Sequence, residues 1–256
     1  MSAEEMTRRI AEASPRLRAG IAGVFYLINI VGCIFAEAFV RGRLVINGDA
    51  AATAHNILAH EQLFRLGFAS DLIAVTSYIA VTGLFYNLFR PVNRNLSFAA
   101  AFFGLAGCIT QGINLLNHFL PLILLGGDRT LSGFTTNQLQ ALAYTSLRLL
   151  STGYNMAMVF FGCYCLSIGY LIFRSTFLPR VLGPLLIIAG LCYQINSFAS
   201  FLSPAFAANL FPYILMPGAA EILLCLWLLV VGVNVQRWKE QASIAEEWRS
   251  QCALHP

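Results

Sequence analysis

Three ionisable side chains, Asp71, His118 and Glu221, stand inside long apolar runs of this 256-residue chain. A carboxylate or imidazole there costs several kcal/mol by insertion scales unless it is paired, protonated or hydrated. Two carboxylates and a histidine are also the groups that acid–base chemistry or a metal ion would use. Hydrogen-bonding residues accompany them: QGINLLNH at 111–118 puts Gln111, Asn114, Asn117 and His118 into a stretch that otherwise reads FAAAFFGLAGCI and FLPLILL. At 100° per residue Gly104, Gly107, Gln111, Asn114 and His118 share one stripe, about 80° wide, of a helix. The same count groups Ala22, Tyr26, Asn29, Cys33 and Glu37; Gly67, Asp71, Ala74, Tyr78 and Thr82; Arg148, Ser151, Asn155, Met158 and Gly162; and Gly190, Gln194 and Ser197. Each stripe is small or polar, as faces that pack closely in membranes are.

The elements that must carry these stripes follow from composition. With 58% hydrophobic and 11% charged residues the chain cannot coat a soluble globule, which carries about 25% charged residues. Six runs, at 18–40, 64–89, 96–122, 149–173, 181–202 and 213–236, are long enough to cross a bilayer about 30 Å thick as helices. The fold expected is an all-α integral membrane bundle of six transmembrane helices. Its parts are a cytoplasmic N-terminal amphipathic segment at 1–17, the bundle at 18–236 and a cytoplasmic polar tail at 237–256. Ser2 and Glu5 have capping-box spacing in the first of these.

Placing both termini in the cytoplasm puts eleven of the sixteen basic residues on that side, as the positive-inside rule prefers. Arg41, Arg43, Arg65, Arg129 and Arg148 remain outside. Two short amphipathic helices are expected on the outer face. One is capped by Asp49 in GDAAATAHNILAHEQLF; the other opens at Thr135 and Gln138, again at capping-box spacing. A bend is expected in the sixth span at Pro217-Gly218.

This orientation brings Glu37, Asp71, Gln111, Asn114, His118, Arg148, Asn155, Gln194, Ser197 and Glu221 to the outer half of the bundle. With Asn29 they form the candidate lining of an outward-facing polar pocket for a small amphipathic or lipid-derived molecule. Two other readings stay open: a membrane-embedded hydrolase or lipid-modifying enzyme using Asp71, His118 and Glu221, and a secondary transporter. No HExxH, GxSxG or phosphate-binding loop supports catalysis, and no cofactor is indicated. The scattered charge of +4 gives no nucleic-acid partner; the bilayer is the partner that the composition requires.

Several stretches are similar to one known family: RAGIAGVFYLI at 18–28, FAEAFVRGRLVINGDAAATAHNI at 35–57, LFRPVNRNL at 88–96, VFFGCYCLSIGYLIFRSTFLPRVLG at 159–183 and INSFASFL at 195–202. Together they resemble the bacterial membrane family called domain of unknown function 4386. The resemblance implies a multi-pass protein of the bacterial inner membrane with no assigned activity. Family members tend to carry histidines where this chain has Leu150 and Tyr164, so a site built on those histidines in relatives is altered here.

Overall fold

A computed structural model describes residues 14–127 and 129–254, with the side chains of 208–217 and 248–254 outside the description. The segment around Ser2 and Glu5 therefore lies outside the described residues. Among those described every regular element is a helix. Helix α1 spans Pro15–Leu44 and contains a π-helical stretch at Phe35–Arg41. Then come α2 (Ala50–Ala59), α3 (Glu61–Phe89), α4 (Arg94–Leu125), a 3₁₀ turn at Arg129–Leu131, α5 (Thr136–Arg174), α6 (Leu182–Leu202), α7 (Pro204–Val230) and α8 (Val235–Leu254). Helices α1, α3, α4, α5 and α6 are each long and apolar enough to cross a membrane. A sixth candidate is the pair Gly218–Val230 and Val235–Glu247, bent by 102°.

That sharp bend lies past Val230, where Gly232 takes φ +72° and the Trp227 carbonyl accepts from both Val231 and Gly232. A positive φ is cheap only for glycine, which ends α7 and turns the chain into α8. The bend expected at Pro217-Gly218 falls at the edge of the side chains outside the description; the backbone of α7 is assigned as one helix across it.

Both foreseen caps form. Asp49 Oδ1 accepts from the Ala52 N–H at 2.8 Å, after Gly48 has turned the chain at φ +83°. Thr135 and Gln138 make the reciprocal box, with the Thr135 N–H on Gln138 Oε1 at 2.8 Å and the Gln138 N–H on Thr135 Oγ1 at 3.4 Å. The two capped segments then differ. Helix α2 stops at His60 (φ −126°, ψ 40°) and a new helix starts. One straight helix through both would reach about 60 Å, twice the thickness of a bilayer core. Helix α5 shows no such break, and the separate short helix expected before the fourth span is its first part. Its 39 residues reach about 58 Å at 1.5 Å each, so several turns extend beyond an apolar layer. Nothing between Thr136 and Arg174 is a proline, and helical hydrogen bonding simply continues.

The chain divides into two compact units. One contains Ile28–Tyr78 and Ala106–Met158. Its core is a cluster of Val40, Leu44, Ile57, Phe64, Leu115, Leu122, Leu147 and Leu150, one layer drawn from five helices. The other contains Ile79–Leu105, Val159–Pro256 and the stretch up to Leu27, as far as these are described. It is held by close helix approach. A Cβ at Gly169 would lie 2.7 Å from the Gly183 carbonyl, and one at Gly190 2.8 Å from the Gly162 carbonyl. Small residues at both levels let α5 and α6 pack backbone to backbone. Helix α8 is tied to the same unit by Trp238 Nε1, which donates to the Leu88 carbonyl at 2.9 Å, and by Gln241 Oε1, which accepts from Thr176 at 3.1 Å.

The crossing makes a checkable claim. Gly169→Val must push two backbones apart, and we expect a loss of about 1–3 kcal/mol, read as a lower thermal unfolding midpoint in detergent. Gly112→Ala, at a helix position where a Cβ meets nothing within 4 Å, is expected to leave the midpoint unchanged or raise it.

Candidate functional site

The site starts from an irregular turn. In the π stretch of α1 the Gly42 N–H bonds to the Glu37 carbonyl, five residues back instead of four. The extra residue rotates the rest of the helix by about 100° around its axis, and it sets Glu37 and Arg41 side by side at the end of the apolar run. Arg41 Nε donates to Glu37 Oε2 at 2.8 Å. The same guanidinium reaches Asp71 on α3, with Nη1 directed to Oδ2 and Nη2 to Oδ1 at 3.4 Å. The two carboxylates are unequal. The Arg41 and Asp71 side chains are 15% and 6% exposed, that of Glu37 75%.

His118 on α4 completes the group with no exposed surface. Its Nε2 lies 3.2 Å from the Phe64 carbonyl, and its Nδ1 lies 3.0 Å from Arg41 Nη1 and 3.4 Å from Asp71 Oδ2. A carbonyl only accepts and a guanidinium only donates. A hydrogen on Nε2 suits the Phe64 carbonyl and leaves Nδ1 to accept from Arg41, and both nitrogens are engaged. Phe64 and Phe68 close over the ring at centroid distances of 4.4 and 5.9 Å. At the rim Arg65 pairs with Glu61 at 2.7 Å and lies 5.7 Å from the Phe119 ring, while Arg43 lies 5.5 Å from that of Phe39.

The other polar residues of this unit do different work. Asn114 Nδ2 donates to the Leu150 carbonyl at 2.8 Å and to Gln111 Oε1 at 3.2 Å, while its Oδ1 accepts from Asn117 at 3.2 Å. Gly153 leaves no space for a Cβ beside the Asn114 amide. This chain of bonds joins α4 to α5 and has little capacity left. Asn29 Nδ2 donates to the Ala74 carbonyl at 3.0 Å, joining α1 to α3. On α5 Arg148 is exposed and Asn155 half-buried.

Gln194 and Glu221 belong to the other unit, and their partners are of that unit. Gln194 Nε2 donates to the Val159 carbonyl at 2.7 Å. Glu221 Oε1 accepts from the Tyr193 hydroxyl at 2.9 Å and faces the Cys165 thiol at 3.7 Å. Of the expected lining, then, the structure joins Glu37, Asp71 and His118 around one residue absent from it, Arg41. The clefts described in this unit lie at the α2–α3 corner. One, of about 220 Å³, is lined by Arg43, Leu44, Asn56, His60 and Leu63, away from Asp71. No three His, Cys, Asp or Glu side chains converge on a possible metal position among the described residues.

Apolar helices long enough to span a bilayer, with Arg41, Asp71 and His118 joined near one end of three of them, define a multi-pass membrane protein. The chain belongs to the family described as domain of unknown function (DUF4386), whose model matches residues 21–232. An uncharacterised protein of Archaeoglobus fulgidus is 24% identical over 156 residues, covering 60% of this chain and 76% of its own. The likeness thus reaches an archaeal chain. No solved structure matches.

The two carboxylates bound by Arg41 are unequal in a testable way. Asp71→Ala leaves the Arg41 guanidinium buried without its main partner, and about 3–5 kcal/mol of destabilisation is expected. Glu37→Gln alters an exposed pair and is expected to cost less than about 1 kcal/mol. Arg41→Met with Asp71→Leu removes both charges and should recover most of the loss. Thermal unfolding of the purified wild type and these three variants reads the cycle; equal effects of the first two changes would refute the assignment.

Proposed function

We propose that this is a protein of the bacterial inner membrane, with both termini cytoplasmic. In this reading the Arg41–Asp71–His118 group, in the outer half of the bundle, holds the polar head of a small amphipathic or lipid-derived molecule. The observation that carries it is the asymmetry of Arg41. One edge of the guanidinium is fixed by buried Asp71 and His118; among the described residues the Nε edge is held by Glu37 alone, whose side chain is 75% exposed. Pairs of that kind contribute about 0–1 kcal/mol, so an incoming acceptor can replace Glu37 at little cost. Glu37 then returns to water, and Asp71 still balances the guanidinium. Phe39 and Phe119, against which Arg43 and Arg65 lie, offer apolar surface to the rest of such a molecule.

Hydrolysis by Asp71 and His118 has less support. A general base needs a free lone pair within reach of substrate, and both nitrogens of this fully buried imidazole are committed. Glu221, the third member of that reading, has its partners in the other unit.

The test is native mass spectrometry of detergent-purified protein beside Asp71→Asn and Arg41→Lys, with helicity checked by circular dichroism. A co-purifying organic mass in the wild type, lost or reduced at least about tenfold in both folded variants, is the expected result. Equal occupancy in all three would sink the proposal, as would a bare wild-type protein that no lipid extract stabilises against heat.

A further inference from the structure

The second carboxylate of the bundle is held in the opposite manner to Asp71. Every partner described for Glu221 is a neutral hydroxyl or thiol: Tyr193 at 2.9 Å, Cys165 at 3.7 Å, and Tyr26. Among the described residues no lysine, arginine or histidine is paired with it. Such donors suit an ionised carboxylate, yet they bring no charge to balance it within an apolar run.

Three further observations concern the elements that carry it. Glu221 is half-buried. One turn before it on α7, a Cβ at Gly218 would meet nothing within 4 Å. One turn beyond Tyr193 on α6, the fully buried Ser197 Oγ has no hydrogen-bond partner among the described residues. The hydroxyls of two tyrosines are directed to the carboxylate, and Tyr26 is itself fixed edge-on to Phe85, with centroids 6.3 Å apart. A carboxylate and tyrosines together are groups that attract an alkylammonium cation.

We infer that Glu221, with Tyr26 and Tyr193, forms a second site that takes an ammonium group, from either an amphipathic amine or an amine-bearing lipid headgroup. The cation supplies the charge that the chain does not. The site uses none of the groups around Arg41, so its test is independent of the reading given there.

The experiment uses the full-length protein in a neutral detergent with hexyltrimethylammonium as probe and hexanol and hexanoate as controls. Native mass spectra and thermal midpoints of wild type, Glu221→Gln and Tyr193→Phe are compared. The wild type is expected to bind the ammonium and to be stabilised by it, with neither effect from the controls. Glu221→Gln should weaken binding about tenfold or more, and Tyr193→Phe by a smaller factor. If Glu221→Gln yields no folded protein, Tyr193→Phe carries the test through its own loss of affinity. Binding that is absent from the wild type, unchanged in the variants or matched by hexanol overturns the inference. Nanodiscs then separate the sources. Weaker probe binding in phosphatidylethanolamine than in phosphatidylglycerol assigns the site to a lipid headgroup; equal binding assigns it to a free amine.

Discussion

The ion pair between Arg41 and Asp71 is the constraint around which one unit of this protein is organised. A carboxylate 6% exposed on α3 requires a counter-charge, and the guanidinium that provides it comes from the end of α1. Bringing it there uses the π stretch at Phe35–Arg41, an irregularity that costs helix geometry and persists where side-chain interactions require it. The pair in turn fixes His118. With Arg41 donating to Nδ1, the hydrogen of the imidazole is directed to the Phe64 carbonyl. Three helices are thereby held in one register by directional bonds in a region where apolar packing alone discriminates poorly between registers.

Glu221 shows the alternative way to keep a carboxylate in an apolar run. Asp71 has charge compensation and short contacts; Glu221 has neutral donors from three helices and open space one turn away. The first arrangement is electrostatically complete, and removal of either partner strands the other. The second is built of neutral donors alone, and the ammonium site proposed there would draw from its ligand the positive charge that a built-in partner supplies to Asp71.

Much of this was legible in the sequence. Five apolar runs became five helices of spanning length, and Asp49, Thr135 and Gln138 cap where their spacing placed them. The polar stripe of α4 faces protein, with Asn114 and His118 buried. Arg41 was not legible. Standing at the end of an apolar run, it reads as a rim charge, and only the five-residue turn swings it onto Asp71; no residue pattern announces such a turn. The continuity of α5 was hidden, since it follows a good cap just as α2 does, whereas the separate helix after Asp49 was expected and ends at His60.

Hydrogen-bond saturation then separates adhesive from site among residues that a sequence presents as equals. Asn114 spends its amide on Leu150 and Gln111 and its carbonyl on Asn117, so it joins helices and has little left for a ligand. His118 has both ring nitrogens engaged as well. Unspent capacity collects at two places: the Nε edge of Arg41, where an exposed Glu37 is the least firmly held member, and Glu221, whose described partners are all neutral. A ligand gains free energy only from groups whose present partners are weak or lacking, which is why the two proposals are placed at those edges and not on the polar stripes as a whole.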